Sequence, residues 1–461
     1  MTDMTAQFAT IVGEHHLLTG DAISEDYAHD EVLTKPPQKP AYLAKPAIAE
    51  EVAQLLQVAT ENQVPVTARG SGTGLSGAAI PRADGLLISF ERMNAVLEVD
   101  VTNQVAVVQP GVTLSELDDA TAGTGLRYMV HPGELSSSVG GNVGTNAGGM
   151  RAVKYGIARH NVLGLQAALP TGELIRTGGK IAKVSTGYDL NQLIVGSEGT
   201  LALATEVTVK LHPRLDHSAT VLAPFADFDQ VMEAVPKILI SGLSPYILEY
   251  IDNVTMAALV HTQNLELGVP DNIRDSCQAY LVVALENRTA DRLDEDVEKT
   301  GELLAELGAV DAYVLEGGSA RKLIEAREKA FWTLKALNAD DLIDTVVPRG
   351  AMPKFLSGAR GLAAAAGAAA AGCGHAGDGN VHLAIFCPDP AIRKKLLTDI
   401  FALAMELGGA ISGEHGLGRA KAPYFVELED PVKVDLMRRI KASFDPAGIL
   451  NPDVAFTSGD A

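Results

Sequence analysis

The spacing of apolar residues predicts that strands and helices alternate through the first half of the chain. Apolar side chains recur at helical intervals over residues 49–62, with Val52, Leu55 and Ala59 on one face, and a second short helix is predicted at 114–122. Apolar runs of strand length lie around these helices. The predicted strands are 41–45, 64–68, 86–90, 96–101, 104–109, 163–169, 173–176 and 201–211. This half is therefore predicted to be an α+β domain.

The pattern changes after residue 213, where longer amphipathic helices begin to alternate with strands. The predicted helices are 228–240, 292–307, 320–337 and 391–407. The predicted strands are 220–223, 246–250, 279–285 and 312–315. This alternation predicts a smaller α/β domain that lies over the first one.

Length, charge and cysteine content narrow the class of protein. At 461 residues the chain can form two or three domains. Its net charge of −21 argues against duplex nucleic acid or an anionic membrane surface as the main partner. The cysteines Cys277, Cys373 and Cys387 have no metal-binding or redox spacing, which is typical of a reducing cytosol.

The sequence also lacks the patterns expected of membrane insertion or secretion. Residues 1–20 show no basic start followed by an apolar run, so no signal peptide is predicted. The longest weakly polar run, 361–373, is shorter than the roughly 20 apolar residues that a membrane span needs. We therefore predict a cytoplasmic protein without a transmembrane segment, and a peripheral association with a membrane stays open.

Two glycine-rich stretches indicate a ligand that contains phosphate. Residues 131–156 include seven glycines, and residues 69–77 form a second stretch of the same character. Glycine permits positive φ and lets backbone N–H groups approach a ligand closely, and rows of such groups bind anions. One such stretch alone would more often be a loop with special dihedrals. Two in one chain predict a dinucleotide with a pyrophosphate.

Residues 72–77 match the G-x-G-x-x-G fingerprint of nicotinamide-dinucleotide sites, but their context argues against that function. The fingerprint works only where its third glycine opens a helix. Pro81 follows Gly77 by four residues, and a helix cannot pass through it without losing a hydrogen bond. We therefore reject a nicotinamide site here.

Histidines and a glutamate near the end of the chain predict a metal site. His375 and His382 are seven residues apart, and the turn at 377–379 could bring both imidazoles to one point. Glu414 and His415 lie in a further glycine-flanked loop. A lone histidine is more often structural, but two histidines with a glutamate suit zinc or a similar divalent ion.

Arg327 lies among apolar positions of the predicted helix 320–337. Such a charge is usually solvated. Facing a cleft, its guanidinium would instead bind a carboxylate through two parallel hydrogen bonds.

The assembled motifs resemble a known family. Residues 65–77, 139–149 and 196–201 are similar to the FAD-binding domain of vanillyl-alcohol-oxidase-type flavoproteins. Residues 374–382, 413–416 and 444–452 resemble the branch that contains D-lactate dehydrogenase, D-2-hydroxyglutarate dehydrogenase and the catalytic subunit of glycolate oxidase. The likeness extends from about residue 35 to residue 452.

The resemblance implies a two-part FAD-binding domain, formed by residues 1–215 and completed by the tail, 416–461. Residues 216–415 would form a cap domain with an antiparallel sheet. The diphosphate of FAD would lie on the backbone of residues 70–77 and 140–149. The residues implied in FAD binding are Arg69, Gly70, Ser71, Gly72, Thr73, Gly74, Leu75, Ser76, Gly77, Pro132, Gly133, Gly140, Gly141, Asn142, Thr145, Asn146, Gly149, Glu198, Gly199 and Asn451, the last closing over the flavin.

The resemblance also implies roles for the candidate catalytic residues. His375, His382 and Glu414 correspond to ligands of a divalent metal, for which zinc is preferred over manganese or iron. His415 corresponds to the general base, and Arg327 to the arginine that binds the substrate carboxylate.

Three positions depart from relatives that act on hydroxyglutarate. Phe331, Leu342 and Ala384 stand where those relatives have threonine, lysine and asparagine. A second carboxylate would then lack polar partners, at a cost of several kcal/mol. The expected substrate therefore has a small or apolar side chain, as in lactate, glycolate or a longer aliphatic acid.

These observations predict an FAD-dependent dehydrogenase that oxidises a D-2-hydroxy acid to the 2-keto acid by hydride transfer to flavin N5. The alternatives are a D-2-hydroxyglutarate dehydrogenase, an oxidase that uses oxygen, and a non-catalytic FAD electron-transfer subunit. The expected partners are the hydroxy acid and an electron acceptor, either a quinone, an electron-transfer flavoprotein or a partner subunit. The sequence does not fix the oligomeric state and leaves a homodimer open, and a nucleic-acid partner is not expected.

Overall fold

The computed structural model describes residues 4–315 and 317–456. The predicted tail extends to 461, so its last five residues lie outside the described part of the chain. The described residues form two small sheets and one two-stranded pair in the first half, and one large sheet in the second.

A four-stranded sheet begins the first half, in the order β1-β2-β4-β3. Its strands are β1 (Leu17–Thr19), β2 (Tyr42–Ala44), β3 (Val66–Arg69) and β4 (Leu86–Ser89). β2 and β3 both pair parallel with β4, which requires crossover connections. One of these contains helix α2 (Ala49–Glu61), which packs on the sheet with α1 (Met4–Val12).

A five-stranded antiparallel sheet follows, in the order β5-β6-β10-β8-β9, and a two-stranded pair, β7 with β11, lies beside it. These strands are β5 (Val96–Asp100), β6 (Val105–Val108), β7 (Leu126–Arg127), β8 (Val162–Ala168), β9 (Leu174–Gly178), β10 (Leu203–Lys210) and β11 (His212–Pro213). The helices of this region are α3 (Leu114–Thr121), α4 (Val139–Thr145), α5 (Ala152–Tyr155), α6 (Ala158–Asn161) and α7 (Leu190–Ile194).

The second half is built on a seven-stranded antiparallel sheet, in the order β15-β12-β14-β13-β17-β18-β16. Its strands are β12 (His217–Phe225), β13 (Ile247–Asp252), β14 (Ala279–Asn287), β15 (Tyr313–Leu315), β16 (Asp341–Val346), β17 (Ala369–His375) and β18 (Asn380–Phe386). Separate apolar clusters pack on the two faces of this sheet. β12, β13 and β14 are therefore nearly continuous apolar runs, which is why the sequence pattern identifies them, whereas β16, β17 and β18 were not predicted.

Helices cover this sheet and lead into the tail. They are α8 (Phe228–Ile240), α9 (Asn253–Gln263), α10 (Asp271–Ser276), α11 (Ala290–Glu306), α12 (Gly317–Glu328), α13 (Ala330–Ala336), α14 (Met352–Ala365), α15 (Pro390–Glu406), α16 (Ala422–Leu428) and α17 (Pro431–Phe444).

The tail returns to the first half of the chain. The Val66 N–H donates to the Ile449 carbonyl at 2.8 Å, and the Asn451 N–H donates to the Val66 carbonyl at 2.7 Å. Ile449 and Leu450 are buried in the core beneath the four-stranded sheet. This is the arrangement expected of a two-part domain, although the boundaries at 215 and 415 stay a prediction.

Two local predictions are wrong. Residues 139–149, expected to be a loop, begin with helix α4, because Ser138 caps it by accepting the Gly141 N–H at 3.2 Å. The single helix expected at 320–337 is instead α12 and α13, separated at Lys329. Nothing in the local sequence explains that break.

Candidate active site

A large cavity lies where the first glycine-rich stretch, α4 and the tail meet. It encloses about 1330 Å³, part of it open to solvent. The predicted cofactor residues that line it are Gly70, Ser71, Gly72, Thr73, Gly74, Leu75, Ser76, Pro132, Gly140, Gly141, Asn142, Thr145, Glu198, Gly199 and Asn451. Glu414 and His415 also line it, so the cavity reaches the predicted catalytic residues.

The two glycine-rich stretches differ in what they offer a ligand. None of the backbone N–H groups of residues 71–76 donates a hydrogen bond to another described residue. The N–H groups of Gly140, Gly141 and Asn142 are bonded internally, to the Pro110 carbonyl, the Ser138 hydroxyl and the Ser138 carbonyl. These three donors are therefore not free for a diphosphate, contrary to the expectation for 140–149, and the first stretch is the better anion site.

Side chains at α4 supply different groups to the cavity. The Asn142 Nδ2 and the Ser137 Oγ are buried and have no hydrogen-bond partner within the described ranges. Buried polar groups without partners are rare in folded proteins, so both atoms fit a polar ligand in the cavity. Gly140 is needed for packing, because a Cβ there would lie 2.5 Å from the Pro110 Cβ.

Five predicted cofactor residues lie outside the cavity lining: Arg69, Gly77, Gly133, Asn146 and Gly149. The Arg69 guanidinium donates to the His29 and Asp26 carbonyls, both at 2.6 Å, and so anchors the N-terminal segment. A Cβ at Gly149, where φ is +110°, would lie 1.9 Å from the His131 carbonyl oxygen. These residues support the loops and do not face the cavity.

Glu198 and Asn451 connect the walls of the cavity. The Glu198 carboxylate accepts the Leu417 and Gly418 N–H groups, each at 2.8 Å, and burial raises its pKa to about 7. The Asn451 amide donates to the Glu198 carbonyl at 2.7 Å and to the Ala78 carbonyl at 3.0 Å. Glu198 thus fixes the loop that follows His415, and Asn451 ties the tail to the segments around Ala78 and Glu198.

The β17–β18 hairpin brings the predicted metal ligands together. The rings of His375 and His382 lie 5.0 Å apart between centroids. Glu414 Oε1 is 3.1 Å from His375 Nε2 and 3.3 Å from His382 Nε2. Two ligands of one tetrahedral zinc, each bonded at about 2.0–2.1 Å, lie roughly 3.3 Å apart. The observed separations therefore fit the predicted ion.

Asp344 binds the loop that carries Glu414 and His415. No sequence motif predicted this role. Its Oδ2 accepts the His415 N–H at 2.8 Å, the Glu414 N–H at 3.1 Å and the Ser412 hydroxyl at 2.7 Å. Its Oδ1 accepts the Asn380 amide at 2.8 Å. This carboxylate therefore positions the loop, and it also belongs to a set of potential metal ligands, Asp344, His382, Glu414 and His415, whose ligand atoms lie within 4.8 Å of one another.

Charges around Asp344 keep it ionised. Burial would raise the pKa of Asp344, but the nearby His415, Lys421 and His382 outweigh it and hold that pKa well below the ordinary value. The sequence signal that could have identified Asp344 is an acid beside apolar residues, because a buried carboxylate without partners would be costly.

His415 lies between the cavity and the metal ligands. It stacks on His382 with ring centroids 5.1 Å apart, and its Nε2 is 3.9 Å from Glu414 Oε1. Burial lowers its pKa to about 4, so the ring is neutral near pH 7 and can accept a proton.

Arg327 is buried beside a second unpredicted carboxylate, Glu249. Its Nη2 lies 2.7 Å from Glu249 Oε2, but no N–H is directed at that oxygen. Its Nε and Nη2 have no hydrogen-bond partner in the parts of the chain that the structure covers. These donors suit a ligand carboxylate.

The residues expected to face the substrate side chain lie at a second cavity. Phe331 and Leu342 line it, and Ala384 is buried opposite Leu342 on β18. The cavity also has charged walls, formed by Glu31, Lys35, Asp341, Arg393, Lys394 and Lys421. Charged residues from segments distant in sequence therefore join these apolar residues at the cavity, and the effect of the three substitutions on the substrate stays a prediction.

Several of these cations already have partners. Lys421 Nζ is 3.3 Å from Asp344 Oδ2, and Arg393 donates to the Cys387 carbonyl at 2.7 Å. Asp341 and Glu31 supply negative charge to the same cavity. Lys421 and Arg393 are therefore already engaged, and acids share the cavity with the remaining cations, Lys35 and Lys394.

Comparison with known proteins shows which families the chain resembles. Residues 40–178 match the FAD binding domain, and residues 214–454 match the family described as FAD linked oxidases, C-terminal domain. An uncharacterized FAD-linked oxidoreductase of Mycobacterium tuberculosis is 80% identical over 456 residues, 99% of each chain.

Relatives with named activities are more distant. A D-lactate dehydrogenase of Anaerostipes hadrus is 35% identical over 460 residues, 98% of this chain and 96% of its own. A glycolate oxidase subunit of Bacillus subtilis is also 35% identical, covering 98% and 97%. The crystal structure of p-cresol methylhydroxylase with substrate bound superposes with a TM-score of 0.82 at 17% identity, over 99% of this chain and 97% of that one.

Among the described residues, no helix is long and apolar enough to cross a membrane. The cytoplasmic location, the electron acceptor and the oligomeric state stay untested.

Proposed function

The chain belongs to the FAD-linked oxidoreductases with the vanillyl-alcohol-oxidase-type fold, and from that premise we propose that it is a dehydrogenase of D-2-hydroxy acids. The observation that carries the proposal is the convergence of three imidazoles on Glu414 at the wall of the predicted flavin cavity. A protein that only transferred electrons would need neither this cluster nor a buried arginine with free donors.

Each group has a proposed task. Arg327 binds the substrate carboxylate through its unpaired N–H groups. His375, His382 and Glu414 would hold a divalent metal, with zinc preferred, which would supply a Lewis acid for the 2-hydroxyl. His415 accepts the hydroxyl proton as the C2–O double bond forms. FAD, when bound, supplies the acceptor for the hydride that leaves C2, so that the product is a 2-keto acid.

The proposed substrate class is a monocarboxylic acid such as lactate, glycolate or a longer aliphatic acid. The side chains of Phe331 and Leu342 offer no hydrogen bond to a second carboxylate, and the cations of the same cavity share it with the acids Glu31 and Asp341. Partial desolvation at about 2–3 kcal/mol would lower kcat/KM for D-2-hydroxyglutarate roughly thirty- to two-hundredfold relative to D-lactate. The 35% identity to a D-lactate dehydrogenase supports this choice.

Anaerobic bleaching of the flavin absorbance by a panel of D- and L-2-hydroxy acids tests the proposal. Rapid bleaching by D-lactate or a longer aliphatic D-acid is expected, with slow bleaching by the L-enantiomers. If no hydroxy acid reduced the flavin while dithionite did, the electron-transfer alternative would replace the proposal.

A further inference from the structure

A single carboxylate joins the proposed substrate-binding arginine to the proposed metal ligands. Glu249 lies in β13, whose residues are all buried, and is only 1% exposed. Its Oε1 is 2.7 Å from His375 Nδ1, and its Oε2 is 2.7 Å from Arg327 Nη2. A buried carboxylate needs such partners, because burying an unpaired charge is strongly unfavourable.

The contact with His375 determines how that ring faces the metal site. A carboxylate oxygen accepts a hydrogen bond, so Nδ1 donates its hydrogen to Glu249, and Nε2, which faces Glu414, would then offer its lone pair to a bound metal. That Nε2 is the atom that lies 3.1 Å from Glu414 Oε1. Glu249 therefore presents the nitrogen that a metal would bind, in the way that carboxylates commonly orient histidine ligands.

The contact with Arg327 is of another kind. The two charges are adjacent, but the N–H groups of Arg327 are not directed at Glu249, and Oε2 has no hydrogen-bond partner among the described residues. Glu249 thus balances the charge of the buried guanidinium and leaves its donors free for a ligand.

We infer that Glu249 is a positioning residue shared by both parts of the site: it orients His375 towards the metal and balances Arg327 until the substrate carboxylate arrives. This inference rests on the proposed function, in which His375 binds a metal and Arg327 binds the acid. It predicts that loss of the carboxylate changes the affinities for metal and for anion in opposite directions.

Two binding constants of the FAD-loaded protein test this inference in Glu249→Gln. Zn²⁺ affinity is measured by competition with a chelating dye, and we expect it to fall about ten- to a hundredfold. Oxalate affinity of the chelator-treated protein is measured from the flavin spectrum. We expect oxalate to bind about tenfold more tightly, because the guanidinium has lost its neighbouring anion.

Asp252→Asn is the matched control. Asp252 is a buried carboxylate in the same strand, but it accepts the Thr255 and Gly372 N–H groups and pairs with Arg360. We expect that variant to unfold more easily and to keep both binding constants within about twofold. General damage to the strand would instead weaken the binding of both Zn²⁺ and oxalate in either variant.

Should Glu249→Gln fail to retain FAD, Glu249→Asp is measured in the same way. It keeps the charge on a shorter side chain, so Zn²⁺ should bind at least tenfold more weakly while oxalate stays within about threefold. Unchanged Zn²⁺ affinity, or weaker binding of both ligands, would overturn the inference. Failure of the wild-type protein to bind Zn²⁺ would overturn the proposed function and this inference with it.

Discussion

The flavin cavity and the histidine cluster are adjacent but built on different principles. The cavity is formed mainly by backbone, with free N–H groups at residues 71–76 and glycines where the chain segments approach closely. The cluster is formed by side chains from β13, β16, the β17–β18 hairpin and the loop around Glu414. The cavity should therefore depend on backbone packing, and the cluster on a few buried charges, so that each can be damaged without the other.

The largest expected effect is the loss of activity when a metal ligand is replaced, while FAD binding is retained. His375→Ala and His382→Ala should each lower kcat by about a thousandfold or more, because a Lewis acid contributes several kcal/mol to the transition state. Both variants should keep stoichiometric FAD, measured from the absorbance of flavin released on denaturation. His261→Ala, on the exposed side of α9, serves as the control. Full activity with bound metal in either variant would show that the ligands are misassigned.

A smaller loss is expected from the residue that supports the cluster. Asp344→Asn should lower kcat/KM about ten- to a hundredfold, because hydrogen bonds to a charged acceptor contribute about 1.5–3 kcal/mol. FAD content should not change, since the Asp344 carboxylate contacts the loop at Ser412, Glu414 and His415. Steady-state kinetics with D-lactate at saturating metal measures the effect, and wild-type kinetics in this variant would contradict the positioning role.

At the cavity we expect the opposite result, in which FAD binding is weakened and metal binding is not. Gly140→Ala would place a Cβ 2.5 Å from the Pro110 Cβ, and such overpacking costs about 1–3 kcal/mol. We expect FAD to dissociate about tenfold more readily, with Zn²⁺ affinity unchanged. Gly123→Ala, just after α3 and outside the lining of the cavity, meets no atom within 4 Å and should behave like wild type. Equal FAD affinity in the two variants would argue against the packing account.

These comparisons show which parts of the molecule the sequence could predict. Glycine-rich stretches and the histidine spacing are local patterns, so they indicated the cavity and the hairpin that joins His375 to His382. Glu249 and Asp344 lie in strands that each contain a second acid, Asp252 or Asp341, and only the sheet order β13-β17-β18-β16 brings them to one place. Of the N–H groups of α4, that of Gly140 is bonded to Pro110, thirty residues away, which no local pattern predicts, whereas those of Gly141 and Asn142 are bonded to the neighbouring cap residue Ser138.

The smallest expected effect concerns the second cavity. Leu342→Lys should narrow the preference for D-lactate over D-2-hydroxyglutarate by about fivefold, because one partly exposed ion pair contributes up to about 1 kcal/mol. The ratio of kcat/KM values for the two acids measures it. If the native protein already used both acids equally, one of the cations at that cavity, such as Lys35, would have to serve as the partner of the second carboxylate.

The most direct test of the central claim is removal of metal from the FAD-loaded protein, followed by anaerobic addition of D-lactate. We predict that chelation leaves FAD bound at one per chain but prevents bleaching of the flavin, and that Zn²⁺ restores it. Bleaching at the original rate without metal, or loss of FAD together with the metal, would contradict the account of two adjacent and separable regions.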